Sequence, residues 1–161
     1  MIFRGARGPV RASVHAGDHR RPAQRFAGHV ELYHRALGQP VQPVGQHSLG
    51  LIAATDEEAV ETWWEYWRPV VARIAAERGF YQPDRERYLA EINTGALFVG
   101  SPGTVARKIA TVARDLRLSR FDLKYDIMHL PRPARARTIE LLGREVAPRV
   151  RELLAKEPSH V

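Results

Sequence analysis

Few of the 161 residues carry groups that do chemistry unaided. Cysteine is absent, which removes thiolate nucleophiles, disulfides, iron–sulfur clusters and cysteine-based zinc sites. His15, His19, His29 and His34 crowd the N-terminal quarter. Only His15 and His19 have helical ligand spacing, and no acidic residue joins them in a convincing set, so no metal site is expected. There is no Gly-x-Ser-x-Gly elbow, Walker loop or His-Glu-x-x-His pair.

The remaining polar candidates sit where the chain changes direction or inside apolar runs. Ala16-Gly17-Asp18 follows a possible strand (Arg11 to His15) and precedes a helix, so its amides and the helix N-terminus could hold a phosphate, helped by Arg20 and Arg21. The alternative is an ordinary loop. Lys124 and Tyr125 end the run RFDLKYDIM. A lysine there requires a partner, which is either a cofactor or substrate, or Asp122 or Asp126 in a structural ion pair. His47 and Ser48 lie within QHSLGLIAA and either face a ligand or are satisfied core polar groups. Trp63, Trp64 and Trp67 fall within two helical turns; they either stack on a ring or pack in a core or subunit contact.

The elements that position these residues follow from apolar periodicity. Phe26, Val30, Tyr33 and Leu37 are spaced as one helical face, and Gly38 ends it. The run 46–54 reads as a buried strand. Thr55 with Glu58 forms a capping box opening the tryptophan helix, which Pro69 should kink or restart and which runs to Gly79. Residues 80–93 read as a loop and a short charged helix. Gly95 to Val99 is a small apolar segment, Ser101 caps a helix with Pro102 at its first position, and residues 120–128 form a strand. A last helix over 136–155 should be interrupted at Pro148. Strands separated by helical crossovers imply parallel pairing and an α/β class.

From Leu97 onward the residues resemble a known family. Phe98-Val99-Gly100-Ser101-Pro102 with Val105-Ala106-Arg107-Lys108-Ile109, then Arg120-Phe121-Asp122-Leu123-Lys124-Tyr125, then Ile139-Glu140-Leu141-Leu142-Gly143 and Val146-Ala147-Pro148-Arg149-Val150, resemble the C-terminal third of the luciferase-like monooxygenases. Upstream, Ala16-Gly17-Asp18 before Arg25-Phe26, and His47-Ser48-Leu49-Gly50, are similar to that family's earlier pieces in the same order. The resemblance implies part of a (β/α)8 barrel, roughly its last three strands with their helices. It divides the chain into an irregular lead-in (1–12), the barrel portion (13–155) and a tail (156–161).

It also implies reduced flavin (FMN) or the deazaflavin F420 as cofactor, in an oxidoreductase that oxygenates its substrate or transfers hydride. On this reading Ala16, Gly17, Asp18, Lys124 and Tyr125 contact the cofactor, and His47 and Ser48 the substrate, a small molecule. Such a barrel usually takes about 250 residues. A chain of this length is therefore expected to be truncated and to pair with itself or a related chain, or else to be a non-catalytic remnant serving as an assembly partner.

Composition narrows the partners. The formal net charge is +7, but most cations alternate with acids on apparently helical faces; the exception is Arg4 to Arg25, where Asp18 is the only acid. No basic face interleaved with aromatics is present, so no nucleic-acid partner is expected. No apolar run is long enough to span a bilayer, and a cytoplasmic protein is expected.

Overall fold

The computed structural model of the chain describes residues 26–37, 44–126 and 129–156. In chain order the elements are α1 (Ala27–Leu37), β1 (Gly45–Ile52), α2 (Asp56–Arg78), α3 (Arg85–Asn93), β2 (Phe98–Gly100), α4 (Pro102–Asp115), β3 (Arg120–Lys124), α5 (Arg132–Leu141), a π turn (Leu142–Val146) and α6 (Ala147–Lys156). The expected strand at residues 11–15, the turn at 16–18 and the lead-in over 1–12 lie outside the described residues.

The three strands form one parallel sheet of order β2-β1-β3. The first half of β1 pairs with β3, with Gly45 opposite Arg120 and Leu49 opposite Lys124, while its last residues pair with β2, Gly50 opposite Phe98 and Ile52 opposite Gly100. The central strand thus changes partner halfway along. Gly50 sits at that point, where an added Cβ would meet the Phe98 carbonyl oxygen at 2.1 Å and Leu123 Cδ1 at 2.8 Å. Only glycine lets the backbones approach this closely.

Alternation along β1 sends its residues to two cores. On one side Ile52, Phe98, Phe121 and Leu123 pack with Val105, Ile109 and Val112 of α4 and Val150 of α6. On the other, Leu49, Leu51, Leu97 and Val99 pack with Trp63 and Trp67 of α2 and Tyr88 and Ile92 of α3. This second core takes no residue from β3, whose Arg120 and Lys124 are exposed. Over β1 and β2 the sheet is covered on both faces; over β3 the described helices cover one.

Two helical interruptions fall differently from expectation. Pro69 lies inside an uninterrupted α2. The last helical stretch begins at Arg132 and departs from α geometry at Leu142–Val146, before Pro148. There the Ala147 amide reaches Leu142, one residue beyond the usual acceptor. Widening just ahead of a proline relieves the clash of its ring with the carbonyl four residues back. The third strand is also shorter than its sequence run, ending at Lys124.

Candidate functional site

The carboxyl ends of the strands carry the helix N-termini, as parallel α/β topology dictates. Thr55 caps α2 by accepting from the Glu58 amide at 3.1 Å, and Glu58 Oε2 reaches back to accept from the Ala54 amide at 3.2 Å, one residue before the cap, a variant of the expected capping box. Ser101 caps α4, with Pro102 in its first turn. Asp56, the first residue of α2, ties the two together. Its Oδ1 accepts from the Ser101 amide at 2.6 Å and its Oδ2 from the Thr104 hydroxyl at 2.9 Å.

Burial pushes the Asp56 pKa up, but the Ser101 and Thr104 hydrogen bonds and the Arg107 charge outweigh it and hold the carboxyl below its ordinary range. Gly100 is required beside it: φ is 154°, and a Cβ would meet Asp56 Oδ1 at 2.8 Å. A carboxylate of the chain itself thus sits at the N-terminus of α4 and takes the Ser101 amide.

Lys124 and Tyr125 stand at the carboxyl end of β3, the side on which barrel enzymes carry their sites. Asp122 pairs with Arg120 rather than with Lys124, at 2.9 Å. Lys124 is exposed, its side chain makes no ion pair or hydrogen bond to another described residue, and Tyr125 beside it is half-buried. The structural ion pair weighed for Lys124 against Asp122 or Asp126 is not formed.

His47 and Ser48 point to opposite faces of β1. Ser48 is buried and accepts from Gln46 Nε2 at 3.0 Å, on the face carrying Phe121 and Leu123 opposite these two residues and covered by α4. His47 is half-buried opposite Asp122, on the face that bears Arg120 and Lys124. The structure thus brings His47 and Lys124 to one side of the sheet and sets Ser48 on the other. Ala16, Gly17 and Asp18 lie outside the described residues.

The tryptophans form a packed cluster. Trp63 is fully buried, Trp64 and Trp67 stack with centroids 5.8 Å apart, and Tyr88 closes on both at 4.8 and 5.2 Å. The Arg85 guanidinium lies over Trp64 and Tyr88 and pairs with Glu61. A groove of about 540 Å³ along α2, lined by Glu61, Thr62, Trp64, Glu65 and Arg68, includes Trp64 but none of the residues expected to contact cofactor or substrate.

Lys108 has a role that its place in the VARKI run did not disclose. Its Nζ donates to the carbonyls of Ile92 at 2.6 Å and Leu97 at 2.8 Å and lies 4.9 Å from the Phe98 ring. Burial lowers its pKa to about 8, against a smaller upward pull from Glu91. It is a clamp between the end of α3, the start of β2 and α4. A single lysine amid apolar helical spacing was the available signal.

No family model matches the sequence, and no curated protein matches it. Solved structures do. The monooxygenase RslO1 from Streptomyces bottropensis aligns with a TM-score of 0.60 at 19% identity, over 84% of this chain and 40% of its own. The oxygenating constituent of 3,6-diketocamphane monooxygenase from Pseudomonas putida, solved with FMN, aligns at 0.55 and 22% over 86% and 48%. The coenzyme F420 dependent tetrahydromethanopterin reductase from Methanopyrus kandleri aligns at 0.54 and 16% over 84% and 44%. The chain spans less than half the length of each. At these identities the likeness is one of fold: the chain has the fold of part of a luciferase-like monooxygenase barrel.

Proposed function

We propose that the chain, over residues 13–155, is the C-terminal portion of a luciferase-like oxidoreductase, and that it contributes one wall of a site for FMN or coenzyme F420 and a small-molecule substrate. The observation that carries this is Lys124: an exposed cation at the carboxyl end of β3, without an ion-pair partner among the described residues, in a fold otherwise seen in proteins described with FMN and with F420. Charge and position both suit an anionic cofactor. Tyr125 flanks it, and Ala16, Gly17 and Asp18, which lie outside the described residues, complete the proposed cofactor set.

When bound, a reduced flavin would supply oxygen activation, and a deazaflavin a hydride. The chain's own residues bind and orient. Lys124 neutralises an acidic group, and His47, on the same side of the sheet, faces the substrate. Ser48, committed to Gln46, takes no part in that contact. Cytoplasmic location belongs to the same proposal; no described helix is long and apolar enough to cross a membrane.

The test is a titration of FMN, oxidised and reduced, and of F420 into the full chain, followed by fluorescence. Saturable binding of one cofactor, weakened about tenfold by Lys124→Ala, is expected, a tenfold change being about 1.4 kcal/mol. Absence of binding by the wild-type chain, in every oligomeric state it forms, rejects the reading. A second reading is a non-catalytic assembly partner. Assembly without cofactor binding would select it.

A further inference from the structure

We draw no further inference here: the strongest candidate, the groove along α2 lined by Glu61, Thr62, Trp64, Glu65 and Arg68, carries none, because nothing in the structure shows what covers it and Trp64, its aromatic wall, already packs against Trp67, Tyr88 and the guanidinium of the chain's own Arg85.

Discussion

Thr138 holds Ile52 by both of its backbone groups: the threonine hydroxyl accepts from the Ile52 amide at 3.2 Å and donates to the Ile52 carbonyl at 3.1 Å, with Thr138 fully buried. β3 has ended by this level, its last residue pairing with Leu49. A side chain from α5 takes the place that a further strand residue would fill. Replacing it with the near-isosteric Thr138→Val leaves two buried backbone groups unpaired. A loss of about 1–3 kcal/mol is expected in chemical denaturation. An unchanged midpoint would mean that water reaches Ile52.

Gly50 makes a second, sharper test of the central strand. The missing Cβ is 2.1 Å from a backbone oxygen, which cannot turn aside as a side-chain tip could. Gly50→Ala must force β1 away from β2, and a cost of about 1–3 kcal/mol or more is expected. Thermal melts of this variant against Gly28→Ala, where a Cβ meets nothing within 4 Å, provide the comparison. Equal melting of the two would refute the close approach.

Lys108 should write itself into the pH dependence of stability. Its folded pKa of about 8 lies below the ordinary 10.5 because burial disfavours the ammonium. Between those values the unfolded chain binds a proton that the folded chain does not, so this group makes stability rise with pH across the window. In Lys108→Met the rise should vanish. Urea melts between pH 8 and 9 measure it, below the range in which Tyr88, whose phenol burial pushes the other way, titrates in the unfolded chain.

Asp56 acts at the acid end. Its carboxyl is held below the ordinary value of 3.8, so the unfolded chain takes up a proton first as pH falls. Its stabilisation is complete above that value and is lost as pH drops through the folded pKa. Asp56→Asn removes the charge while keeping the shape. It should cost about 1 kcal/mol or less at neutral pH, since the group is largely exposed and screened, and should flatten the acid limb of a pH series. An acid limb that stays as steep in Asp56→Asn assigns it to other carboxylates.

The sequence made the caps legible because caps are local. Thr55 with Glu58, and Ser101 with Pro102, are recognisable within four residues, and both appear where expected. The α/β class was legible from alternating strands and helices for the same reason. What escaped were relationships between distant residues. The β2-β1-β3 order, the Thr138 clasp on Ile52 and the Asp56 link to Ser101 join positions 45 and 86 residues apart, and no periodicity encodes such a pairing. Pro69 did not break α2 although intrinsic propensity says it should, because packed Trp67 and Ala75 on either side hold the helix together. At the candidate site, sequence found Lys124 but left its partner open among nearby acids; the neighbouring Arg120, on the same strand face, claims Asp122 instead.

The change of partner along β1 also bears on how the chain reaches this shape. The first half of the central strand finds its neighbour in β3, with Val44 and Ser119 already joined across 75 residues at the lower end. Contacts so distant in sequence close slowly, because loop entropy is spent before any pairing is gained. During synthesis β1 leaves the ribosome with one edge bare and remains so until Lys124 and then Thr138 have followed. For that interval an apolar, β-prone segment is exposed, and exposed strand edges of this kind are prone to aggregate during translation.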